Sequence, residues 1–412
     1  MSTTADVVME PHTVLRHEGE PADLAGVTKP HTIDPQQDDI RAFAHAFCQE
    51  HVVPMAAELD RRPEPQKFPF EYFRRLAAAG IVGYPFAREY GGSGGSALLY
   101  NSMMEVVTYY DPATALLAAV SELAIHPIAY FGSEEQKQKY IPRAARGESV
   151  PAFALTEPEA GSDASNQRTV ATVDGDYFVI NGEKTFIMHG DVADVIVLFC
   201  RIDDGSGKSD RISAIIMDDV KQPGLTRKTL EYKMGMKAAT TGRIWFKDVR
   251  VPRANLLGEQ GKGFRYAMMT LDSARVGVAG QGVGIAWRAM DESIKWARSR
   301  HAFGAPIGKL QAIQFMIADM SLRVEAARCL FYKASIMQDR GEKFSLQAAQ
   351  AKLYATEAAN FCVDKAMQIH AGYGYIGEFS VIEKLYRDQR IIEIYEGTSE
   401  IQRLVIAGNL LR

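Results

Sequence analysis

Cysteine is scarce in this chain and shows no pairing pattern. Four residues, Cys48, Cys200, Cys329 and Cys362, are spread over 412 positions with no CxxC spacing, which argues against a disulfide framework and for reduced thiols. Long hydrophobic runs are missing as well. None approaches the roughly 20 apolar residues that a bilayer-spanning helix needs, so no membrane association is expected. Basic charge is not in excess: 47 Lys and Arg stand against 51 Asp and Glu, a formal net charge of −4. That balance provides no global positive field with which to hold nucleic acid or an anionic membrane. The first 37 residues contain Pro11, Pro21, Pro30 and Pro35, more acids than bases, and no apolar stretch of the signal-peptide kind. They read as a flexible arm, with neither signal nor transit peptide, and the cytoplasm is the expected location.

What is present is an ordinary globular composition, long enough for two or three packed units. From 38 to 150 the apolar period is helical. Ile40, Phe43 and Phe47 follow one face, and Phe70, Phe73, Leu76 and Ala77 another. The run Gly91 to Gly95 has no Gly-Lys-Ser/Thr ending, so it reads as a flexible helix–helix connection rather than a phosphate loop. From 151 to 255 the period shortens. Residues 170–173, 177–180, 195–202, 212–217 and 243–251 read as strands, with Asp174-Gly175 and Asn181-Gly182 as tight turns. From 256 to 412 the helical period returns, over 263–300, 311–340, 345–370 and 382–395, with Gly341 and Gly372 as stops. A last helix starts near a Ser399/Gln402 capping box. The order gives a mainly α, α+β fold: an N-terminal helical domain, a middle β domain and a C-terminal four-helix bundle.

Four segments carry candidate chemistry. Phe153 to Asp163 leaves a strand and enters a loop of small and hydroxyl residues, where Gly161 would let a ligand approach the backbone. It is equally ordinary turn chemistry. Ile394 to Glu400 sets Glu396 between an apolar helix end and a glycine; desolvation there would raise its pKa and strengthen it as a base. By spacing alone, the simpler account is a helix-ending glutamate neutralised by Arg390 or water. Arg300 to Gly304 with Leu310-Gln311, and Gln368 to Gly374, are polar clusters at helix ends that capping would also explain. His189, His301 and His370 show no metal spacing, and no metal is expected.

Together these segments resemble the acyl-CoA dehydrogenase family, over about residues 38 to 412. Phe131-Gly132-Ser133-Glu134-Glu135-Gln136-Lys137, the glycine-rich Leu257 to Phe264 and Leu271 to Arg275 extend the resemblance. It implies FAD bound between the β domain, the bundle and a neighbouring subunit of a homotetramer. It implies that Phe153, Leu155, Thr156, Gly161 and Ser162 meet the flavin and its pyrophosphate, with Phe186, Ile187 and Met188 beside the ring. Arg300, Phe303, Leu310, Gln311, Gln368, Ile369 and Gly372 would hold the AMP half, and Thr398 and Glu400 would add contacts. Ser162, Asp272, Arg275 and Gly397 would contact the acyl-CoA. Glu396 would remove the α proton while hydride leaves the β carbon for flavin N5, and the electrons would pass to an electron-transfer flavoprotein.

Two positions depart from the family pattern. Met188 stands where threonine or serine usually offers a hydroxyl near the flavin, and Gly408 stands where some relatives carry an arginine. The first keeps open a flavin oxidase or monooxygenase on the same fold; the second keeps open an acyl-carrier-protein thioester in place of CoA. A non-catalytic scaffold of this fold is a third reading, against which the full set of flavin-contact residues and Glu396 stand.

Overall fold

The computed structural model describes residues 30–205 and 211–411, so most of the expected arm, residues 1–29, lies outside the described residues. Within residues 30–37, Pro30 and Gln37 are buried. Gln37 is fully buried; its Nε2 donates to Ser102 Oγ (2.9 Å) while its Oε1 accepts from the amides of Ile33 and Asp34. Helix α1 (Gln36–Phe47) thus begins inside the stretch read as an arm. It buries Gln37, Arg41, Ala44 and Phe47, and Phe43 is exposed, contrary to the expected face. The polar residues win the interior because each finds a buried partner there, Ser102 for Gln37 and the Tyr332 hydroxyl for Arg41.

Five more helices complete the first unit: α2 (Val53–Arg61), α3 (Phe70–Ala78), α4 (Ala97–Tyr110), α5 (Pro112–Phe131) and α6 (Glu134–Ala145). Their starts are written in the sequence. Asp111 caps α5 by accepting from Thr114 N, with Pro112 in the first turn, and Ser133 with Gln136 forms a capping box on α6. Each cap is worth about 1 kcal/mol. The glycine connection before α4 is tightly filled: a Cβ on Gly95 would lie 1.9 Å from the Tyr84 ring. Helix α5 is long and apolar enough to cross a bilayer by length and composition, which the expectation of no such run missed. Most of it is buried, and one side lines the cavity described below.

The middle unit is a sheet of β1 (Pro151–Ala154), β2 (Val170–Asp174), β3 (Tyr177–Met188), β4 (Val195–Asp203), β5 (Ile212–Met217), β6 (Leu225–Thr229), β7 (Thr241–Pro252) and β8 (Leu256–Leu257). The order is β6-β7-β3-β2-β4-β5-β8, with β1 beside β4. Asp174-Gly175 makes the expected turn between β2 and β3. Asn181-Gly182 does not turn. It sits inside β3, where the register against β7 shifts between Ile180 and Gly182, because β7 supplies a partner strand that carries the chain through as a bulge.

The last unit holds α7 (Gly263–Ser299), a hairpin of β9 (His301–Ala302) and β10 (Ala305–Pro306), α8 (Gln311–Asp339), α9 (Ser345–His370), α10 (Gly372–Tyr375), α11 (Ile382–Gln389) and α12 (Ser399–Leu410). Helix α7 is the central post. A Cβ on Gly282 would meet the Ala355 backbone at 2.7 Å and one on Gly284 the Glu105 carbonyl at 2.5 Å, so these glycines let α9 and α4 approach on opposite sides. The expected helix 382–395 is shorter; it gives way to a 3₁₀ turn at Arg390–Glu393. Ala371 (φ 52), not Gly372, takes the unusual conformation after α9. The cap of α12 is Thr398, which accepts from Ile401 N (3.4 Å), and not the expected Ser399. Gln402 is drawn away from that capping box to the carbonyls of Glu396 and Gly397.

Candidate active site

A cavity of about 520 Å³ lies between α4, α5 and α7. Tyr100 and Met104 of α4, Leu116, Val120 and Leu123 of α5, and Val278 of α7 give it an apolar stretch. Gln281 and Tyr395 also line it, joined by a hydrogen bond from the tyrosine hydroxyl to the glutamine carbonyl. Met188, at the end of β3, and Glu396 complete the wall.

Glu396 reaches this wall through the turn between Arg390–Glu393 and α12. Both Glu396 (φ 54) and Gly397 (φ 94) have positive φ, a conformation that costs a non-glycine residue about 1–3 kcal/mol and persists only where neighbours enforce it. Three side chains do so. Arg275 Nε donates to the Glu396 carbonyl (3.2 Å), Lys352 Nζ to the Gly397 carbonyl (2.8 Å), and Gln402 Nε2 to both. Arg390, the neutralising partner considered from sequence, instead pairs with Glu393 at 2.7 Å.

Burial drives the Glu396 carboxyl upward; Arg275 and Lys352 pull it down, Glu122 pushes it further up, and it settles at about 7. A carboxylate with that pKa is ionised in a useful fraction near neutrality and is far more basic than one in water. Lys352 feels the reciprocal effect: burial lowers it to about 8, with Glu396 opposing.

Of the residues expected at the substrate, only Glu396 lines this cavity. Asp272 and Arg275 do not; they pair with each other at 2.7 Å, and Ser345 Oγ donates to Asp272. Gly397 serves as an anchored carbonyl, and Ser162 is exposed on its loop. Glu400 is exposed in the first turn of α12.

The loop after β1 is held from beneath. Lys184, fully buried, donates to the Leu155 carbonyl (2.8 Å), to Glu157 Oε1 (2.8 Å) and to Gln167 Oε1 (3.2 Å). Glu157 also accepts from the amides of Arg168 and Thr169, and the Thr185 amide donates to the Thr156 carbonyl. Phe153 is half-buried against Phe199, and Leu155 is buried. Gly161 and Ser162 are exposed, and a Cβ at Gly161 would meet nothing within 4 Å. Phe186 (φ 56) holds its ring 69% exposed. Ile187, expected beside the flavin ring, turns its side chain into the β core, because side chains alternate along the strand.

A second cavity of about 460 Å³ gathers Arg300, Ile369 and Gly372 with Trp296, His370 and Tyr373. The Arg300 guanidinium lies over the Trp296 and Tyr373 rings. Phe303 projects 94% exposed, and Leu310, Gln311 and Gln368 are exposed nearby in sequence. An open backbone at Gly161, an uncovered aromatic face at Phe186 and an aromatic-lined pocket at Arg300 suit a large, flat, phosphate-bearing group such as a flavin nucleotide. The chain's residues fit it.

Sequence reading missed the groups that hold the site: Lys184, Lys352 and Gln402. It also missed the cavity's polar wall of Tyr100, Glu122 and His126. All lie inside regular helices or strands, where periodicity marks burial but not partners.

Three units around a buried carboxyl raised to about 7, beside surfaces that suit a flat nucleotide, are the arrangement of a flavin-dependent oxidoreductase. Comparison with known proteins specifies it. Residues 34–148, 152–249 and 261–411 match the N-terminal, middle and C-terminal domains of the family described as acyl-CoA dehydrogenase. A short-chain-specific acyl-CoA dehydrogenase of Clostridium acetobutylicum is 41% identical over 378 residues, 92% of this chain and 98% of that protein. The solved butyryl-CoA dehydrogenase of Megasphaera elsdenii superposes with a TM-score of 0.86 at 40% identity, covering 93% of this chain and 100% of that one. A chain of the solved structure described as electron transferring flavoprotein of Acidaminococcus fermentans gives a TM-score of 0.87 at 38% identity, with 93% and 100% coverage. The chain belongs to the acyl-CoA dehydrogenase family.

Proposed function

We propose that the protein oxidises an acyl-CoA thioester to its 2-enoyl thioester with FAD as cofactor and Glu396 as the base. The observation that carries this reading is the Glu396 carboxyl, raised to about 7 by burial and placed in the wall of a cavity beside an apolar stretch from α4, α5 and α7. An α C–H beside a thioester is a weak acid, so its removal needs a base already desolvated and oriented. The Glu396 carboxylate takes the α proton, and its own backbone amide would meet the thioester oxygen as negative charge grows there. The bond that breaks at the β carbon gives up a hydride, and the pair from the α C–H bond forms the new double bond. Bound FAD supplies the acceptor for that hydride.

Phe153 to Ser162 and Phe186 would hold the flavin end, and Arg300, Ile369 and Gly372 the nucleotide end. Exposed Phe303, Leu310, Phe315 and Leu322 support a reading in which another copy of the chain covers this side, as in a homotetramer. The short-chain relatives favour a short acyl group, and the cytoplasm, with an electron-transferring flavoprotein as acceptor, is the setting we propose. A CoA substrate is the primary reading; at Gly408 a Cβ would meet nothing within 4 Å, so there is no steric reason for the missing arginine.

The deciding experiment is anaerobic reduction of the yellow protein by a short acyl-CoA. Wild type should bleach, and Glu396→Gln should keep its flavin and stay yellow. A variant that bleaches at the wild-type rate removes Glu396 as the base. Met188 in the cavity wall, lacking a hydroxyl, supports one second reading, oxygen as acceptor. Stoichiometric peroxide on admitting air, without a protein acceptor, would establish it.

A further inference from the structure

The cavity holds a second set of polar groups that α,β-oxidation does not use. Tyr100 is only 6% exposed, lines the cavity, and its buried hydroxyl has no hydrogen-bond partner among the described residues. On α5, Glu122 and His126 stand one turn apart and line the same cavity. His126 Nδ1 lies 2.9 Å from Glu122 Oε1, and the imidazole stacks on Tyr130 with centroids 4.2 Å apart. The two side chains are 13% and 12% exposed.

The charge on Glu122 reaches across the space. After burial itself, it is the main influence holding the Tyr100 and Tyr130 phenols above their ordinary range. A hydrocarbon chain offers nothing to a carboxylate or an unpaired phenol, and enclosing such groups against it costs free energy. A purely local role, His126 as partner to Glu122, leaves the Tyr100 hydroxyl unanswered. A ligand donor would answer both: the carboxylate accepts from it, and the tyrosine donates to its oxygen or accepts a second proton.

Taking the cavity as the thioester site, as proposed above, we infer that Tyr100, Glu122 and His126 form a recognition site for an N–H or O–H donor carried by the bound thioester. Two sources carry such a donor: a hydroxyl or amine on the acyl group, or an amide N–H of the pantetheine arm. The same wall holds four carboxyl side chains, Glu89, Glu122, Asp339 and Glu396, against one lysine, Lys137, and so disfavours an acyl group that ends in a carboxylate.

The test is calorimetric binding to the flavin-loaded enzyme, which requires no turnover. The probes are a four-carbon 2-enoyl-CoA, its 4-hydroxy counterpart and its 4-carboxylate counterpart, with wild type, Tyr100→Phe and Glu122→Gln. If the donor is on the acyl group, both variants lose about tenfold more affinity for the hydroxylated ligand than for the plain one, the scale of one hydrogen bond. If it is the pantetheine amide, both lose about tenfold for all three ligands alike. Unchanged affinities throughout, or a carboxylate ligand bound more tightly than the plain one by wild type, overturn the inference. Tyr100→Phe removes one oxygen and no charge, so it keeps the test informative if Glu122→Gln fails to retain flavin. A wild type that binds none of the three ligands overturns the assignment of the cavity to thioesters, which is a different result.

Discussion

Two loops in this molecule rest on a buried lysine, and the two lysines are used differently. Lys184 and Lys352 are both fully buried, and each donates to a backbone carbonyl, Leu155 in one case and Gly397 in the other. Lys184 also meets Glu157 at 2.8 Å, so its charge is cancelled inside the β unit. Burial pushes Glu157 up, but Lys184 and the surrounding donors bring it below the ordinary carboxylate range. Lys352 forms no ion pair among the described residues, and the carboxyl that most opposes its loss of a proton is Glu396. A lysine with its own carboxylate is scaffold. One without it shares in the titration of the base.

That contrast can be broken or sharpened by experiment. The largest effect belongs to Glu396→Gln, which should slow flavin reduction by about a thousandfold, or about 4 kcal/mol of barrier, with flavin content unchanged in the visible spectrum. Next, Lys184→Met leaves Glu157 buried and ionised with only amide donors, and should cost about 3 kcal/mol of stability. Denaturant unfolding measures that loss, while the pH profile of the surviving flavin-loaded enzyme should not move. Lys352→Met should do the reverse. It removes a charge that lowers the Glu396 pKa, so the midpoint of the acid limb should rise by up to about one pH unit. An unshifted limb in Lys352→Met would mean that the two groups titrate independently, and the contrast would fail.

As the proposed base, Glu396 works when ionised, and its pKa is raised from 4.5 to about 7. Reduction rate should therefore climb as pH increases through about 7 and level off above it. The smallest effect is at the cap of α12. Thr398→Ala should cost about 1 kcal/mol in thermal or denaturant unfolding, and Ser399→Ala close to nothing.

Much of the architecture was legible in order along the chain. Repeating apolar positions gave the ends of α7, α8 and α9 within a residue or so, and Asp174-Gly175 marked its hairpin because that turn is a local choice. Asn181-Gly182 carried the same local signal, yet the partner strand β7 drew it into a bulge. Phe43 was expected inside and lies outside, since the interior at α1 was taken by Gln37 and Arg41, whose partners come from residues 102 and 332. In the site, Glu396 stood out through its neighbours in sequence and the family resemblance. Lys352, Gln402, Tyr100 and Glu122 did not, because nothing local distinguishes a buried polar residue on a helix from an exposed one.

The sequence by itself settled the order of helical and β units and the absence of a basic or cysteine-rich design, and through the family resemblance it pointed to Glu396 as the candidate base. Tertiary structure alone decided that the Glu396 carboxyl is raised to about 7 and which donors hold its turn. It also decided that Glu122 shares the cavity wall with Glu396. The reason is physical: propensity and periodicity act over a few residues, whereas desolvation and charge coupling depend on groups brought together from distant parts of the chain.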